Sequence, residues 1–353
     1  MVKKILLESH NLKNRATGFG VFNYELIKAL SKLNFDDQIY LLYKKPEDLR
    51  TEFGTKFHYK KYYSLMRNPF FRTREKYDVW HSLNQNIKVE PCHKPKKYVL
   101  TIHDVNFMEE NSLDYSPNHI KYFKEKIKRV DVITFISEYA KKQTMQYFDI
   151  SGIENTIIYN GNSISEIINC DDFQSPLDIS KPYFYTIGAF LEKKNFESLV
   201  KMMKFLPDFN LIISGNCTNA YGQKIKDLIA KEKLENQVFL SGKVSERAKQ
   251  FYMQNCEAFL FPSTGEGFGL PPLEAMSFGK PIILSDKTSL PEIGGKDAFY
   301  WNDFEPEYMK NVVEDALNQY NQNSDYFIEA YIKRAGSFSW DKAANEYLKV
   351  YEI

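Results

Sequence analysis

Short apolar runs alternate with helix-length amphipathic segments along almost the whole chain, and the alternation restarts after a polar stretch near residue 180. Parallel strands need long crossovers, and a helix is the usual crossover, so this pattern predicts parallel sheets covered by helices on both faces. At 353 residues the chain exceeds what one core usually supports, which makes two domains the expectation. In the first half strands fit 4–7, 38–43, 79–82, 98–102, 132–136 and 156–159, with helices at 19–33, 117–129 and 138–148. In the second half strands fit 183–187, 210–214, 238–240, 258–261 and 281–284. Helices there fit 196–205, 221–232, 246–255, 271–278 and 308–322. The expected divisions are a Rossmann-like first domain over 1–172, a Pro-bearing linker at 173–182 and a second Rossmann-like domain over 183–335. A final helix within 336–353 then packs back on the first domain, with Trp340, Ala344, Tyr347 and Leu348 on one face. Two such domains imply a cleft into which the carboxyl ends of their strands point.

The most informative segment is Phe261 to Gly279, in which Glu266 and Glu274 stand either side of a glycine-bearing turn. A short apolar strand leads into Gly265, Gly267 and Gly269, which permit geometry and close approach that a Cβ resists. Pro271 and Pro272 suit a first helical turn, where a missing N–H costs nothing. Strand, glycine turn and helix start together present free amides to an anion. A carboxylate repels phosphate, so Glu266 and Glu274 suit hydroxyl groups instead. Phosphate flanked by polyhydroxyl groups describes a nucleotide sugar.

Other segments join this one. Lys193 and Lys194, in the turn after the strand at 183–187, could neutralise charge on a departing diphosphate; a lysine pair is also common surface decoration. Gly18 and Gly20 open the first long helix and could bring amides to a phosphate, or form a plain structural turn, since Asn23 replaces the third glycine of a dinucleotide fingerprint. His103 ends a buried strand, where it could donate to a sugar hydroxyl with Asp104 fixing its ring, or simply cap the strand. His81 holds a similar position. Gly215-Asn216 and Ser241 to Val244 follow strands on the same side and could border a base.

Net charge is +1, yet residues 1–172 carry 27 Lys+Arg against 22 Asp+Glu and the remainder 20 against 24. The excess is densest over Lys56 to Lys76, interleaved with Tyr62, Tyr63, Phe70 and Phe71, and recurs at Lys121, Lys124, Lys126, Lys128 and Arg129. Such a surface suits anionic lipid headgroups or a diphosphate-bearing acceptor, or is a solvated face. No recognition motif accompanies it, which argues against nucleic acid. Four scattered cysteines, with no metal spacing, read as reduced thiols in a cytoplasmic protein. No apolar run approaches the roughly 20 residues of a spanning helix.

In this order, these elements resemble the retaining glycosyltransferases of family 4, which have the two-domain GT-B architecture. The segment Glu266 to Glu274 matches that family's pair of glutamates with seven residues between them, and Gly18-Phe19-Gly20, Thr101 to Asp104, Leu191 to Asn195 and Phe338 to Trp340 match lesser motifs. The resemblance implies that Glu266 contacts the donor sugar and Glu274 the ribose. It further implies that Gly267, Phe268, Gly269 and Leu270 hold the diphosphate and sugar, that Lys193 and Lys194 bind phosphates, and that His103 lies near the anomeric carbon. His103, Glu266 and Lys194 are then the catalytic candidates. Lys193 stands where the family usually has arginine, which keeps the charge but loses the two-pronged contact.

The implied reaction is retaining transfer of a hexose from a nucleoside-diphosphate sugar, GDP-mannose by the form of the segment, without metal or other cofactor. The implied acceptor is a glycan hydroxyl, lipid-linked, in surface polysaccharide synthesis such as O-antigen or capsule, at the cytoplasmic face of the inner membrane. Two alternatives share the architecture: a nucleotide-sugar epimerase, and a non-catalytic nucleotide-sugar-binding partner subunit.

Overall fold

The computed structural model describes residues 2–15, 17–108, 116–177 and 179–352. The chain divides into two compact units, Met1–Gly161 with Phe338–Ile353, and Asn162–Ser337. The expected boundary at 172 and the expected linker at 173–182 therefore fall inside the second unit.

The first unit runs β1 (Lys4–Glu8), α1 (Gly18–Lys32), β2 (Gln38–Tyr43), α2 (Pro46–Phe53), β3 (His58–Lys61), β4 (Val79–Ser82) and β5 (Lys97–Ile102), then α3 (Pro117–Ile127), β6 (Val132–Phe135), α4 (Glu138–Tyr147) and β7 (Glu154–Ile157). Its strands pair in parallel in the order β3-β2-β1-β4-β5-β6-β7. Central strands such as β1 and β4 are buried on both faces, as in a sheet covered on two sides, even where they carry Glu8, His81 and Ser82. Thr17 caps α1 by accepting from the Gly20 amide at 3.3 Å, and Phe22, Leu26, Ile27 and Leu30 form the helix's buried stripe.

The second unit runs β8 (Tyr183–Ile187), α5 (Phe196–Met202), β9 (Asn210–Ser214), α6 (Ala220–Glu232), β10 (Val238–Gly242), α7 (Glu246–Asn255), β11 (Ala258–Phe261) and α8 (Leu270–Met276). It continues with β12 (Ile282–Ser285), α9 (Leu290–Gly294), β13 (Phe299–Trp301), α10 (Pro306–Gln322) and α11 (Ser324–Gly336). Its parallel order is β10-β9-β8-β11-β12-β13. Phe184, Leu199, Leu211, Ile225, Ile283 and Val313 belong to one buried cluster beneath its helices.

The last helix, α12 (Trp340–Val350), packs in the first unit against α1, with Phe22 edge-on to Trp340 and Tyr347. Trp340, Ala344 and Tyr347 are buried as the face pattern predicts, while Leu348 is half-buried. In both sheets the strand order reverses beside the first strand, between β1 and β4 and between β8 and β11. Loops leaving the two strands at such a reversal diverge and leave a crevice at the carboxyl edge.

Candidate functional site

In the second unit the two loops at the reversal are 188–195, after β8, and 262–269, after β11. They are tied together through the backbone of Lys193. Its carbonyl accepts from Thr264 N at 2.7 Å, Ser263 Oγ at 3.0 Å and Thr264 Oγ1 at 3.2 Å. Gly265 leaves room for the Lys193 side chain, whose Cδ would lie 3.2 Å from a Cβ at that position. Asn195 follows in the left-handed conformation, φ 52°, where asparagine is among the better tolerated side chains.

That tie places the Lys194 ammonium on the Glu266 carboxylate. The two form a tight ion pair with side chains only 11% and 13% exposed, and Lys194 Nζ also lies 4.9 Å from the Phe261 ring centre. A third loop, after β12, steadies the glutamate's turn. Thr288 Oγ1 accepts from Glu266 N at 3.2 Å, and Ser289 Oγ lies 2.7 Å from the Phe268 carbonyl and 3.2 Å from that of Glu266. Thr288 pays for this with φ 58°, a region that a β-branched residue rarely enters.

Gly269 caps α8 at φ 118°, with Leu290 Cδ2 3.0 Å from where a Cβ would stand, so a side chain there is both strained and crowded. Because Pro271 and Pro272 lack N–H groups, donors at this helix start are confined to the residues before them, Leu270 among these. Glu274 lies one turn in, buried, and pairs with Lys249 of α7 at 2.9 Å; Lys249 also reaches Glu246 at 3.0 Å. Burial pushes the Glu274 carboxyl up, and Lys249 opposes the shift. Burial works against the Lys249 ammonium, but its two carboxylates outweigh that and hold it above its usual value. With Nζ between two carboxylates, the ionised pair is the state this geometry favours.

Gly215, at φ 145°, sits where a Cβ would collide with the Gly188 carbonyl, and its amide donates to Gly242 O at 2.8 Å. The segments after β8, β9 and β10 are thereby gathered at one edge, including Gly215 and Ser241-Gly242, which the sequence suggests for a base.

The first-unit candidates divide. Gly20 is a packing residue: a Cβ there would collide with the Asn14 carbonyl, and its amide is already taken by Thr17. The cap thus occupies the amide that the sequence offers to a phosphate. Gly18 faces open space. His103 is buried, its Nε2 lies 3.0 Å from the Leu83 carbonyl, and Phe19 and Phe22 stand edge-on to its ring. A carbonyl can only accept, so Nε2 carries the hydrogen and Nδ1 is left as an acceptor. The ring is thus oriented by Leu83 and two phenylalanines, in place of the expected Asp104, whose Oδ1 accepts from Asn106 N. Burial lowers the imidazole to about 4, so it is neutral at pH 7.

His81 is structural. It is buried among Tyr351 OH and Thr101 Oγ1, each at 2.7 Å, and desolvation lowers it to about 3. Lys126, expected on a basic surface, is fully buried against Glu90 at 3.2 Å and the Ile87 carbonyl at 2.6 Å, with Arg129 also on Glu90.

Sequence reasoning did not find Lys249, Thr288 or Ser289. Each acts through a contact across the sheet edge, which leaves no local spacing to read. Among the described residues no group of three or more His, Cys, Asp or Glu side chains forms a metal set, and no helix is long and apolar enough to cross a membrane.

Residues 169–334 match the family described as glycosyl transferases group 1, and the match covers nearly all of the second unit. An O-antigen chain mannosyltransferase, RfbU of Salmonella typhimurium, is 26% identical over 234 residues, 64% of each chain. A serotype-specific mannosyltransferase, WbdA of Escherichia coli, is 24% identical over 283 residues, 75% of this chain and 34% of that protein. The chain thus spans under two thirds of the first relative and about a third of the second. Sucrose-phosphate synthase from Thermosynechococcus elongatus superposes with TM-score 0.78 at 16% identity, over 99% of this chain and 98% of that one. Anabaena HepE in complex with UDP and glucose superposes with TM-score 0.74 at 15% identity, over 99% of each. These likenesses establish the fold as GT-B, two Rossmann-like units of parallel sheet.

Proposed function

We propose that this chain, whose residues 169–334 match the group 1 glycosyl transferases, carries out retaining transfer of a hexose from a nucleoside-diphosphate sugar to a hydroxyl of a glycan acceptor. The observation that carries this reading is the Lys194–Glu266 pair, a shielded ammonium and carboxylate at the crevice of the second sheet. Without a donor the two neutralise each other. With one bound, Lys194 turns to the diphosphate beside Lys193, and Glu266 is released to accept from sugar hydroxyls. The amides of Gly267, Phe268, Gly269 and Leu270 face the diphosphate and sugar, and one oxygen of Glu274, steadied by Lys249, takes the ribose. Fixed positive charge stabilises the leaving diphosphate, and orientation of the two substrates contributes further. His103 accepts through Nδ1 from a hydroxyl of the transferred sugar.

The sugar proposed is mannose, carried by GDP, since two relatives are named as mannosyltransferases. By the same support the product belongs to O-antigen-type surface polysaccharide and the acceptor is lipid-linked. The enzyme then works at the cytoplasmic membrane face, where exposed Tyr63, Leu65, Phe70 and Phe71 stand among the cations of Lys56 to Lys76.

A thermal-shift panel of GDP, UDP, ADP, dTDP and CDP tests the site, because a ligand bound only by the folded chain raises its apparent stability. GDP is expected to give the largest shift, and Lys194→Ala to abolish it and to cut transfer by about 10²-fold or more. A shift by UDP alone overturns the mannose donor; no shift by any nucleotide overturns the site.

A further inference from the structure

A second crevice lies in the first unit, at the carboxyl ends of β1, β2 and β3. It encloses about 460 Å³, within the range of small-ligand clefts. Lys13 comes from the turn after β1, Lys44 and Lys45 follow β2, and Lys61 and Arg67 close β3 and the segment after it. No Asp or Glu lines it. Among the described residues none of these five cations forms an ion pair, whereas Lys60, pointing elsewhere on the same strand, pairs with Glu75 at 2.7 Å. Charges of one sign gathered on one hollow repel, and a bound anion relieves that repulsion.

The inner wall is built as well as charged. His10 and Tyr62 stack at 4.6 Å with an interplanar angle of 14°, both more than nine-tenths buried. His10 Nδ1 is held by Oε1 of the buried Glu8 carboxylate, which lies beneath the hollow and does not line it, while Oε2 has no hydrogen-bond partner among the described residues. The Tyr62 hydroxyl is buried with no hydrogen-bond partner among the described residues, a desolvation penalty that an oxygen-rich ligand would remove. A dry wall behind exposed cations focuses their field into the hollow.

We infer that this crevice is a phosphate-binding subsite, shaped for a diphosphate group rather than a flat lipid surface. On the proposed function, on which this identification of the ligand rests, the group is the diphosphate of the acceptor. It lies on the same sheet edge as His103, which follows β5.

The test is hydrogen exchange of the full chain with inorganic pyrophosphate, read in peptides covering 8–13, 43–46 and 61–67. Reading locally separates this subsite from any pyrophosphate bound in the second unit, and from failure of the transfer reaction itself. Slowed exchange in all three peptides is expected, with affinity falling about tenfold or more in Lys45→Ala/Arg67→Ala. Both side chains are exposed and unpaired, so that variant should melt like the parent. Unchanged exchange, or equal protection in the variant, overturns the subsite. Protection by phosphatidylglycerol vesicles but not by pyrophosphate also overturns it, and assigns the cations to the membrane.

Discussion

At the scale of single residues, chemistry depends on partners that the side chain itself does not announce. Lys194 and Glu266 are 72 positions apart, and the pairing of β8 with β11 and the Lys193 carbonyl, held by Ser263 and Thr264, make them neighbours. His81 and His103, both buried, show the same dependence in a measurable form. Burial lowers His103 to about 4 and His81 to about 3, against an unfolded value near 6.5. Both are neutral when folded at pH 7, so their contribution to stability is complete above pH 6.5. As pH falls from 6.5, the unfolded chain takes up protons that the folded chain refuses, and stability drops until the folded pKa is reached. For His103 that loss is on the order of 3 kcal/mol between pH 6.5 and 4. Urea midpoints across this range should fall steeply, and His103→Gln should flatten the slope; a parallel curve for the variant removes the linkage. His103 was legible in the sequence as a strand-end residue, but its acceptor role was not. That role follows from the Leu83 carbonyl on Nε2, a contact across the sheet edge.

At the scale of elements, the glycines separate packing from binding. Gly20 abuts the Asn14 carbonyl and Gly18 faces open space, although the sequence presents them as one motif. Gly20→Ala should lower stability by about 1–3 kcal/mol through overpacking, while Gly18→Ala should melt like the parent. Equal melting of the two variants would contradict this division. Strand β2 matched its expected span residue for residue, as did β4, β8, β9 and β11; all but β4, which is Val-Trp-His-Ser, are buried and mostly apolar runs. What escaped were β3, β13, α2, α9 and α11. β3 is His-Tyr-Lys-Lys on a sheet edge and β13 has three residues, so neither carries a two-faced apolar run. Helix α11 buries only Phe327, Tyr331 and Ala335, a stripe too narrow to stand out.

At the scale of the molecule, the chain's last residues complete its first unit. The Tyr347 hydroxyl sits 3.2 Å from Thr101 Oγ1 and 3.4 Å from Thr134 Oγ1, and Tyr351 holds His81, so α12 supplies hydrogen-bond partners to the interior of β4, β5 and β6. Ending the chain at residue 337 should leave His81 Nδ1 without its partner and Phe22 uncovered, while Thr101 and Thr134 keep each other. Tyr347→Phe alone should cost about 1 kcal/mol, and the truncated chain should lose cooperative melting of its first unit. A truncated chain that melts like the parent would show α12 to be a passive tail. Apolar periodicity and the glycine–proline punctuation were enough to determine two parallel-sheet units, the positions of every strand but β3 and β13, and the segment that carries Glu266 and Glu274, since these signals are local. The tertiary structure alone decided which cation meets which acid. Lys194 goes to Glu266, Lys249 to Glu274 and Lys126 to Glu90, while the five around the crevice of the first unit meet none among the described residues. The physical reason is that pairing is set by which loops a parallel sheet brings together at its carboxyl edge, and by how much water remains there, neither of which is written in the spacing along the chain.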